Sequence, residues 1–171
     1  MKDLRVFKTK KAIEETFLSL RNKNDLDKIK VSELCSLALI NKTTFYNYYA
    51  DVYALSEELE NKYLEECFYG FDDYNCLIND TEKFIFGIYK SFINNHNINV
   101  IFKNRISTLV EKAQEKVLEI YKDDIHSEKI KMKLMFLIHG AFYLLFNYNG
   151  GKDEKVKLNI IIEYAKSLWN K

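Results

Sequence analysis

A polar segment that begins Lys42-Thr43-Thr44 carries side chains suited to binding a polyanion and to reading the edge of a base. The lysine supplies positive charge, the hydroxyls can bond phosphate or base atoms, and a threonine methyl can contact the methyl group of thymine. Asn47 lies about one helical turn further on, and its amide suits adenine. Two tyrosines within the segment can donate hydrogen bonds to phosphates. The candidate DNA-contacting residues are therefore Lys42, Thr43, Thr44, Tyr46, Asn47 and Tyr48.

Two short helices must position these side chains. The apolar spacing predicts a helix over about residues 31–37, a tight connection through residues 38–40, and a second helix from Lys42 to about Tyr49. Asn41 stands where its side chain can cap the second helix. This arrangement is typical of a helix-turn-helix, whose second helix enters the major groove of DNA. The alternative interpretation is that a short aromatic-rich helix of this kind belongs to an apolar core.

The whole chain of 171 residues has helical periodicity, and no segment alternates as a strand would. Proline is absent and only five glycines occur, which excludes collagen-like and turn-dense β proteins. We therefore predict an all-α fold of about nine helices, with residues 70–80 as a loop. Residues 1–50 would form an N-terminal domain and residues 51–171 a second helical domain.

Charge is distributed unevenly along the chain. The formal net charge is only +1, but residues 1–49 hold 10 basic and 6 acidic side chains and the remainder is net −3. A basic N-terminal segment on an acidic body predicts that one end of the protein meets a polyanion. The three cysteines have neither metal-ligand spacing nor a disulfide framework. With no secretory signal, and with a longest apolar run (residues 134–146) too short for a bilayer span, we expect a cytoplasmic protein without a membrane partner.

The last two predicted helices, over about residues 128–148 and 152–169, are unusually apolar. The first of them is apolar on most sides, and a helix of that kind must be covered all round. A chain of this length offers few neighbours for it, so we predict a homodimer that buries this pair against a second copy. The alternative is a central core helix within a monomer.

The N-terminal segment shares several features with a known family: a basic start, a KIxVxEL stretch at residues 28–34, the small Ala38 and, above all, the signature Thr44-Phe45-Tyr46-x-Tyr48-Tyr49. In these features residues 8–60 resemble the DNA-binding domain of the TetR/AcrR family of bacterial repressors. The resemblance implies a homodimer that binds a palindromic operator and is released by a small-molecule ligand. It also implies that the six candidate residues contact DNA, that Phe45 and Tyr49 pack inside, and that the last two helices form the dimer interface.

Three residues depart from the pattern of the resembled family. Lys30 stands where a threonine usually caps the second helix, and Leu39 stands where the turn usually has glycine. Val52 replaces a lysine that usually contacts phosphate. Val52 and the near-neutral net charge motivate an alternative function, which is a dimeric coactivator or protein-interaction module that has lost specific operator binding.

Large aromatic residues are frequent after residue 51, and the resemblance implies that they enclose a pocket for a small apolar or aromatic ligand. The alternative is that these rings simply fill a core. The predicted lining residues are Tyr63, Phe86, Tyr89, Phe102, Phe136, His139 and Tyr143. The chain has no GxSxG, HExxH, GxGxxG or P-loop motif, so we expect neither catalysis nor a metal or cofactor.

Overall fold

The computed structural model describes residues 4–71, 74–148 and 153–169, and every regular element in these ranges is helical. The predicted all-α class is thus confirmed. The described residues form ten α-helices, a short 3-10 turn at Leu26–Lys28 and a π-helical segment at Tyr143–Asn147. The α-helices are α1 (Leu4–Lys23), α2 (Val31–Leu37), α3 (Lys42–Tyr46), α4 (Val52–Phe68), α5 (Tyr74–Asn79), α6 (Thr81–Asn94), α7 (His96–Ile101), α8 (Ile106–Ile120), α9 (Glu128–Phe142) and α10 (Glu154–Trp169).

Helix α5 lies where the sequence predicts a loop, and that prediction was wrong for residues 74–79. The side chain of Leu77 is buried, with 2% of its surface exposed. The N–H of Asp80 donates to the carbonyl of Cys76 over 3.0 Å, and the hydroxyl of Thr81 donates to the carbonyl of Leu77 over 2.8 Å. Tertiary burial therefore stabilises a helix in a stretch whose polar residues disfavour one locally.

The chain forms two compact units. Unit 1 comprises Met1–Tyr63 and Asn95–Asn104, and unit 2 comprises Leu64–Asn94 and Arg105–Lys171. The division falls within α4, whereas the sequence analysis places a boundary after residue 50. Helix α7 also joins unit 1, although it follows α6 in the chain.

Hydrogen bonds to α1 explain why the first part of α4 belongs to unit 1. The ammonium group of Lys10 donates to Glu58 over 2.9 Å, and that of Lys62 donates to Glu14 over 2.6 Å. The hydroxyl of Tyr63 also donates to the carboxylate of Glu14. Charged and hydroxyl groups thus fix this part of α4 along α1.

The buried guanidinium of Arg21 holds the segment after α7 to the end of α1. It donates to the carbonyl of Asn24 over 2.9 Å and to the carbonyl of Lys103 over 2.5 Å. The ammonium group of Lys103 in turn donates to the carbonyl of Asn22 over 2.8 Å. A charged side chain that is 1% exposed needs such partners, because burial without them is costly.

The turn between α2 and α3 is a Schellman motif. The N–H of Ile40 donates to the carbonyl of Cys35 over 3.0 Å, and the N–H of Leu39 donates to the carbonyl of Ser36 over 3.4 Å. Leu39 adopts a φ of +54°, in the left-handed region that favours glycine, and its side chain is 91% exposed. Leu39 therefore adopts the left-handed backbone conformation that the turn requires, although it is not a glycine.

We expect Leu39→Gly to raise the free energy of unfolding by about 1 kcal/mol, because glycine enters the left-handed region without the steric cost of a Cβ atom. The exposed leucine side chain contributes little packing that would be lost. Urea denaturation measures the change, and Leu39→Ala, which keeps the Cβ atom, is the matched control. An equal gain in the alanine variant would show that backbone strain at this position is not the cause.

The core of unit 2 includes Leu137 on α9 together with Ile161 and Ala165 on α10. Two residues of the π-helical segment, Leu144 and Leu145, pack against this cluster. The last two helices predicted from the sequence are therefore partners within one unit, and only part of their apolar surface is buried there.

Candidate nucleic-acid interface and apolar cavity

Helix α3 begins at a capped turn, as the sequence predicts. The side chain of Asn41 accepts a hydrogen bond from the N–H of Thr44 over 2.7 Å. The helix ends at Tyr46 instead of about Tyr49, yet the following residues continue its hydrogen-bonding pattern. The N–H of Asn47 donates to the carbonyl of Thr43, and that of Tyr49 to the carbonyl of Phe45.

The side chains of this segment separate into an exposed and a buried set. Phe45 and Tyr49 are buried, with 0% and 5% of their surface exposed, which agrees with the predicted packing role. The six candidate DNA-contacting residues lie outside this buried pair. The exposed ones are Lys42, Thr43, Tyr46 and Asn47, and the half-buried ones are Thr44 and Tyr48. The exposed four are spaced i, i+1, i+4 and i+5, so they share one face of the segment.

Tyr49 anchors this segment to α1 and α4. Its hydroxyl donates to the carboxylate of Glu58 over 3.2 Å, and the ammonium group of Lys10 lies 5.2 Å from the centre of its ring. Burial, followed by the charge and hydrogen bond of Glu58, raises the pKa of the Tyr49 hydroxyl above its ordinary value. The hydroxyl therefore stays protonated and remains a donor, which fixes the exposed face of α3 relative to both helices.

The structure gives a reason for the valine at position 52. Val52 is buried, with 6% of its surface exposed, so an apolar side chain suits this position in the first turn of α4. The neighbouring Tyr53 is 55% exposed. Asp51 caps the helix by accepting from the N–H groups of Tyr53 and Ala54 over 2.9 and 2.8 Å. Tyr53 is an additional candidate for a phosphate contact that was not predicted from the sequence.

A cavity of about 100 Å³ lies within unit 2. Its walls come from the end of α4, from α5, α6, α8, α9 and α10, and from the π-helical segment. The lining residues are Phe68, Leu77, Phe84, Ile85, Ile88, Tyr89, Phe92, Ala113, Val117, Leu134, Leu137, Ile138, Ala141, Phe142, Leu145, Phe146 and Ile161.

Only Tyr89 of the seven predicted ligand-binding residues lines this cavity. Tyr63 and Phe102 are buried in unit 1. The remaining four lie at the surface of unit 2, and they are Phe86, Phe136, His139 and Tyr143. The imidazole of His139 is 3.0 Å from the side-chain oxygen of Gln114. Aromatic rings do line the cavity, as predicted, but apart from Tyr89 they are rings other than the predicted ones, and they surround the small residues Ala113 and Ala141.

Tyr89 joins α6 to the start of α10, because its hydroxyl donates to the carboxylate of Glu154 over 2.5 Å. Burial, followed by this hydrogen bond and the charge of Glu154, raises the pKa of Tyr89 to about 12. Between pH 10 and 12 the unfolded chain loses the tyrosine proton while the folded protein keeps it. The stabilisation by this group is therefore complete below pH 10 and is lost as the pH rises to 12.

We expect the free energy of unfolding to fall more steeply between pH 10 and 12 in the unmodified protein than in the Tyr89→Phe variant, which has no proton to lose. Denaturation by urea at a series of pH values measures the two slopes. Tyr143→Phe is the control, because it removes an exposed hydroxyl from the same unit. Equal slopes for the unmodified protein and Tyr89→Phe would contradict the role of Glu154.

An exposed apolar stripe runs along α9, the π-helical segment and α10. Phe136 and Tyr164 connect the helices, with their ring centres 5.6 Å apart. Phe136 is 65% exposed, which is unusual for a phenylalanine in a folded domain. The residues of this α9–α10 stripe are Met132, Phe136, Tyr143, Val156, Ile160 and Tyr164.

The segment Glu128–Asn147, which combines α9 with the π-helical residues, is 20 residues long and apolar enough to cross a membrane by length and composition alone. Few of its side chains are buried. From the sequence we expect no membrane-spanning segment, because the longest apolar run, residues 134–146, is too short. The helical segment is longer than that run because it also includes residues on both sides of it. A core helix of a water-soluble protein can pass the same test.

Within residues 4–71, 74–148 and 153–169, no group of three or more histidine, cysteine, aspartate or glutamate side chains is arranged to hold a metal ion. Comparisons of the chain with protein-family models, with curated proteins and with solved structures gave no match.

Proposed function

We propose that this protein is a TetR-type transcriptional regulator that represses by binding a palindromic DNA operator as a homodimer. The exposed face of α3 carries the proposal. Lys42, Thr43, Tyr46 and Asn47 are side chains able to bond phosphates and base edges, and they stand on a segment whose Phe45 is fully buried. The combination of a cation, two hydroxyls and an amide on one short exposed face is the observation on which the proposal rests.

The α9–α10 stripe supports the dimer. Contiguous exposed apolar surface marks a site of association, and a two-fold interface pairs the same patch on both copies. Two copies of α3 would then read two half-sites related by the same axis, so the operator is an inverted repeat.

The cavity of unit 2 supports release by a small molecule. Helix α4 contributes Val52 to unit 1 and Phe68 to the cavity wall of unit 2. A ligand releases DNA only if it binds the conformation that does not fit the operator more tightly than the one that does.

Salt dependence tests the proposed DNA binding. Lys8, Lys11, Lys30 and Lys42 of unit 1 are exposed cations, and each cation that neutralises a phosphate releases counterions from the DNA. With two such contacts per protomer, we expect the affinity for duplex DNA to fall at least about a hundred-fold between 50 and 200 mM salt. Fluorescence anisotropy with labelled duplex measures the slope, and unfolding curves at both salt concentrations control for loss of the fold. An affinity that does not change with salt would contradict the proposal.

The alternative function is a dimeric coactivator or protein-interaction module on the same fold. It is favoured by the burial of Val52, because this position offers no cation to a phosphate. Weak binding to all duplexes, together with tight binding to a protein partner, would distinguish this function from operator binding.

A further inference from the structure

We propose that the cavity of unit 2 binds a small, uncharged and wholly apolar molecule, of the size of a single-ring hydrocarbon, and that this molecule enters past Tyr89. The inference that this molecule is the signal that releases DNA rests on the proposed function. Binding of the molecule to the cavity does not depend on DNA. The proposal excludes charged and amphipathic ligands.

The chemistry of the cavity walls determines which class of ligand can bind. The cavity is lined by apolar side chains, with a single hydroxyl on Tyr89. That hydroxyl is already held by Glu154 at 2.5 Å, so it does not point a free donor at a ligand. A polar group that entered this space would lose its hydrogen bonds to water without replacing them, which strongly disfavours binding.

The size and shape of the cavity limit the size of the ligand. Its volume of about 100 Å³ is smaller than the roughly 150 Å³ of an apolar cavity that is known to stay dry and to bind benzene. Two aromatic pairs form part of the wall: Phe142 and Phe146 stack at 5.5 Å, and Phe92 meets Phe142 edge to face at 5.5 Å. A single flat ring is therefore the largest rigid ligand that fits after a small adjustment of these side chains.

The position of Tyr89 indicates where a ligand enters the cavity. Tyr89 lines the cavity and also lines a groove on the surface of unit 2, whose other residues are Phe86, Asp153, Glu154, Lys155 and Leu158. Its ring is thus the wall that the two spaces share. The hydrogen bond to Glu154 holds the Tyr89 side chain in place, so breaking the bond is expected to widen the passage between the groove and the cavity.

Benzene is the probe that tests binding, with benzoate as its charged counterpart. The purified full chain is titrated with each compound, and chemical shifts are followed in the methyl groups of Ile85 and Ile88, which line the cavity. We expect saturable shifts with benzene and an affinity for benzoate at least a hundred-fold weaker. Absence of methyl shifts up to the solubility limit of benzene, or equal binding of benzoate, would overturn the proposal.

Two variants locate the site and the route. Ala141→Leu fills the cavity and is expected to weaken benzene binding at least ten-fold, while Ala12→Leu, at a half-buried position on α1, leaves it unchanged. Tyr89→Phe removes the bond to Glu154 and is expected to accelerate benzene entry several-fold in exchange measurements. Unchanged binding in a folded Ala141→Leu protein would refute the site, and an unchanged entry rate in Tyr89→Phe would refute the route.

The benzene experiments and the DNA-binding experiments test the two proposals independently. Benzene binding by a protein that has no operator would leave the inference about the cavity intact and refute the regulator. Operator binding by a protein that does not bind benzene would support the regulator and refute the inference about the cavity.

Discussion

Replacing Phe136 by glutamate is expected to convert the protein from a dimer to a monomer. Phe136 is 65% exposed within one chain and contacts Tyr164, so in the proposed dimer this pair lies inside the α9–α10 stripe. Two-fold symmetry places two such carboxylates in one interface, and each would be buried without a partner. We expect the dimer dissociation constant to rise at least about a hundred-fold, which corresponds to roughly 3 kcal/mol.

Sedimentation velocity over a range of concentrations measures this effect. Tyr69→Glu is the matched control, because Tyr69 is an aromatic residue of unit 2 that is 87% exposed and lies outside the stripe. A monomeric unmodified protein at micromolar concentration would contradict the dimer. Association of that monomer with lipid vesicles, abolished by Phe136→Glu, would instead assign the apolar segment Glu128–Asn147 to a membrane.

Substitutions on the exposed face of α3 are expected to have the second large effect. Asn47→Ala removes an amide suited to adenine, and Thr43→Ala removes a hydroxyl and a methyl suited to base edges. A good base contact contributes about 1–3 kcal/mol, and each substitution removes it from both half-sites. We therefore expect operator affinity to fall about thirty-fold or more, with relaxed preference at the contacted base pair.

Two further variants separate base reading from phosphate binding. Tyr46→Phe removes only a hydroxyl, so it should weaken binding to all sequences alike. Lys23→Ala removes an exposed cation at the end of α1 and should leave the sequence preference unchanged. Anisotropy titrations with the operator and with a scrambled duplex distinguish these cases. Unchanged operator binding in both Asn47→Ala and Thr43→Ala would refute the assignment of α3 as the recognition helix.

The local features of unit 1 could be predicted from the sequence because they depend on neighbouring residues. The bounds of α2 agree with the predicted residues 31–37, and the cap at Asn41 forms as expected. The burial of Phe45 and Tyr49, which lie at i, i+4 spacing and which the resemblance implies pack inside, is confirmed. Leu39 shows the limit of such rules, since it adopts a backbone conformation that its residue type disfavours.

The cavity could not be predicted, because it depends on how side chains from distant helices meet. Ala113 and Ala141 leave space only when α8 and α9 pack beside α6. Aromatic residue type does not reveal this, and Phe136 is on the surface while Phe92 lines the cavity. The membership of α7 in unit 1 also rests on contacts distant in sequence, such as the bond from Arg21 to Lys103.

The proposed function is tested most directly by selecting bound duplexes from a random DNA library with the purified full chain at physiological salt. The account predicts enrichment of an inverted repeat whose half-sites are separated by about one helical turn or a multiple of it. Enrichment should be lost when the selection is repeated with Asn47→Ala. Failure of the folded, dimeric protein to enrich any sequence would contradict operator binding and would favour the protein-interaction module.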